Sequence, residues 1–395
     1  MIRVAFTIGA GIVAALQIGK AVIAIPLIQQ ELGLTLVQTS MLLSLFAIFG
    51  ALMAMPAGLA APRFGARRCL AFGLMLLGLG SLAGAMAGSF PLLLATRTIE
   101  GMGFILVATS APALLTRLTS DENRAPAFAL WGVYMPIGMG AMILAGIFID
   151  ATGWRAIWLV NAAIAFGWMA ATFFLLPADP RVEKSTLHQY GFAATIRTFA
   201  EDGRPFLVAG TFFLYGNLYF AVTGLLPVFL IDQYGLSTAA IAPLTAAVIF
   251  CNGAGNLTAG YLLRRGFAFD RIIAWAFGAA VVASTLIFVG LGGAVPVMIV
   301  ACIAMGISGL VPASVMSSAP TIARDMGHVG AMIGLFMQGS TLGQFTGPPV
   351  MAFIAERAGW PVAALFIASL GIGAIGFITL LRRRGRVLAA ERLAG

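Results

Sequence analysis

Lys20, Arg97 and Glu100 each interrupt a long apolar stretch of the chain. A charge near the middle of a membrane-crossing helix costs roughly 2.5–3.5 kcal/mol on insertion scales, so each needs a partner or a task. Arg97 and Glu100 are three residues apart, which puts them on one face of a helix. At about 1.5 Å of rise per residue, Lys20 lies roughly 12 Å below the outer boundary of its stretch, Arg97 roughly 9 Å and Glu100 roughly 14 Å, so the three share a depth. A carboxylate placed there can take up and release a proton, because neighbouring cations favour its charged form and desolvation the neutral one. With Glu100 ionised, Lys20 and Arg97 leave one positive charge in excess, and a guanidinium can grip a carboxylate through two bonds. The chemistry expected is a proton-responsive Glu100 beside an anion-holding Lys20 and Arg97. The same residues also fit a structural ion pair, Arg97–Glu100 or Lys20–Glu100, that steadies a helical bundle.

The elements that must position them follow from composition. Of 395 residues, 61% are hydrophobic and 9% charged, whereas a soluble domain carries about a quarter charged residues. Apolar runs of about twenty residues, enough to cross a hydrocarbon core of about 30 Å, recur along nearly the whole chain. Their lack of strict alternation argues against a barrel. Spans are expected at 4–28, 36–60, 69–88, 91–116, 125–149, 155–176, 206–231, 239–263, 270–292, 295–318, 328–353 and 361–381. The first follows a single basic residue, Arg3, and is expected to remain uncleaved.

The net charge of +9 does not call for nucleic acid, because Lys and Arg concentrate in every second connection. Arg63, Arg67 and Arg68, Arg117 and Arg124, Arg181 to Arg204, Arg264, Arg265 and Arg271, Arg324, and the tail from Arg382 to Arg392 lie on one side. The other side holds little beyond Arg155 and Arg357. That asymmetry places both termini in the cytoplasm. Cys69, Cys251 and Cys302 are too scattered for a disulfide framework or a metal site and read as packing residues, and His188 and His328 offer no metal cluster.

The polar segment around 178–204 divides the spans six and six. The expected organisation is an N-terminal bundle over 1–177, a cytoplasmic linker over 178–204, a C-terminal bundle over 205–384 and a tail over 385–395. The halves echo each other: Gly101-Met-Gly103 through Ala111-Pro112 against Gly306-Ile-Ser-Gly309 through Ala319-Pro320, and Gly153-Trp154 against Gly359-Trp360. Spans seven to eleven carry polar rather than charged candidates: Tyr215, Asn217 and Tyr219, then Asn252 and Asn256, then Gln338 and Gln344. Each could bond a ligand or a neighbouring helix, with Asn217 and its flanking tyrosines the first choice. Gln17 and Tyr134 complete the candidate binding set of the first half. Gly330, Gly334, Gly339, Gly343 and Gly347 form a stripe read as close helix packing.

Gly58-Leu-Ala-Ala-Pro62-Arg63-Phe-Gly65-Ala-Arg67-Arg68 resembles the loop motif G-x-L-a-D-R-x-G-R-R of the major facilitator superfamily, with Pro62 where that family places an aspartate. Thr96-Arg97-Thr-Ile-Glu100-Gly101-Met-Gly103 is similar to the family's R-x-x-Q/E-G-x-G element, and Gly132-Val-Tyr134-Met135-Pro136-Ile-Gly138-Met-Gly140 matches its Gly-Pro antiporter motif only in part. Gly153-Trp154-Arg155-Ala-Ile-Trp158 is also common at the start of span six in the superfamily. Gly19-Lys20 with Ala24-Ile-Pro26, Leu130-Trp131-Gly with Tyr134-Met-Pro136, and Leu226-Pro227 with Tyr234-Gly-Leu-Ser237 resemble the cyanate-permease-like branch, whose substrates are heterogeneous.

The resemblance implies an all-α integral membrane fold of twelve helices in two six-helix pseudo-symmetric bundles. It implies a secondary transporter in the cell inner membrane, monomeric, with Gly58, Arg63, Gly65 and Arg67 as a gating loop, and the charges of Lys20, Arg97 and Glu100 add the expectation of a small anionic organic solute coupled to protons. Arg63 and Arg67 are expected either to meet the exposed carbonyls of neighbouring helix ends or to serve only as topology determinants. A multidrug or metabolite exporter and a transport-dead receptor or scaffold are the alternatives. No catalytic constellation, nucleotide-binding loop, metal-ligand set or cofactor fingerprint is visible, so neither an enzyme nor a cofactor is expected.

Overall fold

The computed structural model describes residues 1–179, 192–290, 292–323 and 328–394. The described chain is helical: α1 (Ile2–Leu32), α2 (Leu36–Phe64), α3 (Ala66–Ala85), α4 (Phe90–Leu118), α5 (Asp121–Trp131), α6 (Tyr134–Leu144), a 3₁₀ turn (Ala145–Phe148) and α7 (Ile149–Leu175) come first. Then follow α8 (Phe192–Asp202), α9 (Arg204–Tyr234), α10 (Thr238–Arg264), α11 (Phe269–Val289), α12 (Ala294–Ser308), α13 (Leu310–Ile322), α14 (Val329–Ala358) and α15 (Trp360–Ala394). Among the described residues, ten helical stretches can by length and composition cross a membrane. One of them, Tyr134–Leu175, has 42 residues, about twice what a bilayer needs, and its backbone leaves helical geometry at Gly153 (φ 73°, ψ 159°). Counting it as two and adding the less apolar α14 gives the twelve spans.

Two spans that read as continuous are broken. The fifth divides between α5 and α6 and the tenth between α12 and α13. The cause is the same: Pro136 and Pro312 are each the third residue of the new helix, and a proline ring clashes with the carbonyl four positions back and cannot bond to it. At the other end of the chain α15 runs unbroken to Ala394, so no structural boundary separates the tail at 385 from its span.

The duplication appears in the turns. Gly33 (φ 63°) ends α1 and Gly235 (φ 62°) ends α9, each in the left-handed conformation that glycine adopts without a Cβ penalty. Two residues later Thr35 and Ser237 cap the next helix, accepting from the backbone N–H of Gln38 and Ala240. Trp154 Nε1 donates to Glu31 Oε2 at 2.7 Å, and Trp360 Nε1 to Asp232 Oδ2 at 2.7 Å. In each half the tryptophan opening the last helix is thus tied to an acid at the end of the first.

The halves meet along α2 against α14 and α6 against α10. Small residues permit the approach: a Cβ on Gly334 would lie 2.9 Å from the Met55 Cα, and Gly339, Gly343 and Gly347 press on Ala209, Phe213 and Asn217 of α9. Gly330, expected in the same stripe, meets nothing within 4 Å, because it precedes the segment where α14 is sandwiched. On the side away from the arginine-rich connections, Glu356 of α14 accepts from the backbone N–H of Leu36 and of Val37 (3.2 Å), the first turn of α2 in the other half. A carboxylate at a helix N-terminus contributes about 0.3–1 kcal/mol. Glu356→Ala is therefore expected to broaden and lengthen spin-label distances between the ends of α2 and α14 that this contact joins, with little change in melting temperature.

Candidate functional site

Lys20, Arg97 and Glu100 meet. Lys20 Nζ donates to Glu100 Oε1 at 2.5 Å, and Arg97 Nη1 donates to Glu100 Oε2. All three side chains are fully buried. Their helices can come this close because Gly80 of α3 leaves room for the Glu100 side chain, a Cβ there falling 2.6 Å from Glu100 Cγ. Around them Lys20 Nζ donates to Gln17 Oε1 (2.6 Å) and Ser81 Oγ (2.5 Å), and Ser81 Oγ donates to the Trp158 carbonyl (2.9 Å). Arg97 Nε donates to the Leu42 carbonyl (3.0 Å). Each cation also faces an aromatic ring, Lys20 over Trp158 and Arg97 over Phe46, both at 4.6 Å, an arrangement that stabilises a desolvated charge.

Five helices, α1, α2, α3, α4 and α7, thus contribute to one enclosed cluster of two cations and one anion. The excess positive charge is accompanied by buried donors, Gln17 Nε2, Arg97 Nη2 and Trp158 Nε1, that make no hydrogen bond among the described residues. Leaving such groups unpaired costs about 1–3 kcal/mol each, more for a charged one. An incoming acceptor, an anion above all, would relieve them. Ser81 and Trp158 were not among the sequence candidates: each is a common residue in an apolar helix, and only the folded chain shows that it faces Lys20.

The other candidates divide. Tyr219 Oη donates to the Met139 sulfur at 3.7 Å, and Met139 abuts α1 at Gly19, where a Cβ would lie 2.6 Å from its carbonyl. Tyr219 of the second half therefore approaches the Lys20 region through one residue. Tyr215 stacks between Phe212 and Tyr219, with centroids at 5.5 and 5.7 Å, and accepts from Asn252 Nδ2 (3.2 Å), which also donates to Ser308 Oγ (3.0 Å). Asn256 Nδ2 donates to Asn252 Oδ1 (3.3 Å). Asn217, the first choice on sequence, is engaged elsewhere: it donates to the Phe213 carbonyl and accepts from Thr346 Oγ1, each at 3.0 Å, at the junction of α9 and α14. Gln338 Nε2 donates across the halves to the Leu52 carbonyl (3.4 Å). Gln344 Nε2 is buried and makes no hydrogen bond among the described residues. Tyr134 stacks on Trp131 at 4.2 Å, against α1 at Gly11.

At the candidate gating loop, Gly58 lies within α2, and the side chain of Arg63 lies outside the described residues. Arg67 Nη2 donates to the Phe173 carbonyl (2.6 Å) in the last turn of α7, a helix end of the kind expected for it. A carboxylate reaches the loop from elsewhere: Asp179 accepts from the backbone N–H of Arg67 (3.0 Å) and Arg68 (3.1 Å) and from Arg117 Nη1 (3.1 Å). Gly65 is needed there, since a Cβ would collide with the Asp179 carboxylate. Asp179 thus caps α3 in a loop whose motif lacks its own acid at Pro62. Removing a helix cap costs about 0.5–2 kcal/mol. Asp179→Ala is expected to lower the melting temperature in detergent, and Asp179→Asn, which keeps an accepting oxygen, to lower it less.

Comparison with known proteins agrees with this architecture. The family model described as Major Facilitator Superfamily matches residues 7–329. The chain is 25% identical to the "Probable sulfoacetate transporter" of Cupriavidus necator, over 89% of this chain and 87% of that one. It is 23% identical to the "Hexuronate transporter" of Bacillus subtilis, over 94% of this chain and 92% of that one. Among solved structures, a bacterial homolog of the human lysosomal transporter Spinster, in an inward-facing and occupied conformation, superposes with a TM-score of 0.74 at 15% identity, covering 98% of this chain and 96% of that one.

Proposed function

This chain belongs to the Major Facilitator Superfamily, and on that footing we propose that it carries a small organic anion across the inner membrane by alternating access, coupled to protons. The observation that carries the proposal is the enclosed cluster: two cations, one carboxylate, and the unpaired donors Arg97 Nη2 and Gln17 Nε2. Sulfoacetate and hexuronates, named for two relatives, are small organic anions and support the same charge class. The motif resemblance to the cyanate-permease-like branch is compatible with that breadth. The asymmetry of basic residues supports cytoplasmic termini, and the protein is proposed to act as a monomer.

The cluster suggests how proton and anion are linked. In this conformation Glu100 neutralises one of the two cations. A substrate carboxylate or sulfonate that engages Arg97 and Lys20 competes with Glu100 for them, and a carboxyl group displaced into a desolvated site favours its protonated form. Anion entry and proton uptake then occur together. Tyr219, Tyr215 and Asn252 hold the uncharged body of the substrate from the second half. An opening that admits the substrate from the side of Glu356 requires its contact with the first turn of α2 to separate.

Purified protein in liposomes, screened against carboxylates, sulfonates and inorganic anions with and without an inward proton gradient, tests this. Gradient-driven uptake of an organic anion, lost in Lys20→Ala, is the expected result. Uptake confined to neutral or cationic compounds, or unchanged in Lys20→Ala, would sink the proposal and leave the cluster as the ion-paired brace of the N-terminal bundle.

A further inference from the structure

The outward face of α11 is grooved. Ala274, Trp275, Gly278, Ala279, Val282 and Leu286, all of this one helix, line a shallow apolar depression of about 540 Å³ that is open to the surroundings. Gly278 leaves it open, since a Cβ there would meet nothing within 4 Å, and Trp275, 82% exposed, stands beside it. From Ala274 to Leu286 the groove runs about 18 Å along the helix axis, roughly one leaflet of a hydrocarbon core of about 30 Å.

A cation heads it. Arg271, Trp275, Gly278, Val282 and Leu286 recur at three- and four-residue spacing, which puts Arg271 on the groove's own face at its arginine-rich end. Arg271 is exposed. Among the described residues it has no acidic partner, because Asp270 Oδ2 accepts from Arg382 Nε at 2.7 Å. Arg264 and Arg265, both exposed, end the preceding helix on the same side, and add to its positive potential.

We propose that this face is a binding site for an anionic phospholipid, one acyl chain lying in the α11 groove and the headgroup phosphate held by Arg271. A cationic head above an apolar slot of one-leaflet length complements an anionic lipid and gives a zwitterionic one no equal advantage. A second copy of the chain fits less well. A two-fold contact through this face would set Arg271 against the same residue of the partner, like charge to like.

Full-length protein stripped of lipid in detergent, then offered phosphatidylglycerol or phosphatidylcholine of matched chains and read by native mass spectrometry, tests the assignment. Wild type is expected to retain phosphatidylglycerol about fivefold better, the effect of one basic residue near a membrane surface. Arg271→Gln removes the preference. Gly278→Leu, which fills the groove without meeting packed atoms, removes the bound lipid while the protein stays monodisperse and helical. Arg383→Gln, an exposed arginine elsewhere on that side, keeps the wild-type preference. Equal retention of both lipids by wild type overturns the proposal, as does an unchanged preference in Arg271→Gln or an equal loss in Arg383→Gln. A wild-type dimer that Gly278→Leu dissolves overturns it in favour of a second copy.

Discussion

Replacing Glu100 by Gln abolishes accumulation of the substrate anion under a proton gradient while exchange of labelled for unlabelled substrate continues. The expectation follows from the competition proposed at the cluster: Gln resembles the protonated side chain of the loaded carrier, so it permits reorientation with substrate but cannot carry the proton. Stability falls as well. Breaking a buried pair by removing one partner costs about 3–5 kcal/mol because it leaves an uncompensated charge, and here Lys20 and Arg97 would both be left facing a neutral group. The double variant Lys20→Met/Glu100→Gln isolates the stability effect. It restores the native excess of one positive charge, so the melting temperature is expected to recover much of its loss. A melting temperature as low as that of Glu100→Gln alone would show that the uncompensated charge is not the cause of the loss.

The second large effect is expected at Gly101. A Cβ on this residue would run into the carbonyl of Phe46 on α2, backbone against backbone, so no side chain can swing aside. Gly101→Val must push α2 from α4, and α2 supplies the Leu42 carbonyl that receives Arg97 Nε and the Phe46 ring that faces the same guanidinium. Overpacking a well-filled core costs about 1–3 kcal/mol, occasionally more, and here the loss extends to the partners of a buried charge. A marked fall in melting temperature and in yield of folded protein is expected, measured against Gly167→Ala, where a Cβ meets nothing within 4 Å. A Gly101→Val protein as stable as wild type would mean that the α2–α4 approach is looser than described.

Much of this molecule could be read from its residues because the bilayer constrains them strongly. Apolar runs and charge asymmetry locate the helices, and a charge such as Lys20 inside an apolar run is conspicuous whatever surrounds it. What could not be read depends on distant contacts. Ser81 looks like a tolerated polar residue in span three until α1 and α7 bring Lys20 and the Trp158 carbonyl to its hydroxyl. Asp179 reads as a linker residue, yet its bonds to the backbone of Arg67 and Arg68 make it a helix cap. Asn217 has the chemistry of a ligand group, but its bond to Thr346 is a matter of which face of α9 meets α14, and that is set by Gly343 and Gly347. The breaks in spans five and ten were present as Pro136 and Pro312, hidden by apolar neighbours on both sides.

The central claim is that an anion takes Lys20 and Arg97 from Glu100 and that Glu100 then takes a proton. Adding a transported anion to the purified protein in weakly buffered solution, and following the pH of the medium, tests it most directly. Proton uptake on anion binding by the wild type, absent in a Glu100→Gln protein that still binds the anion, is the predicted result. Equal uptake by both proteins, or anion binding by the wild type with no proton uptake at all, would contradict it.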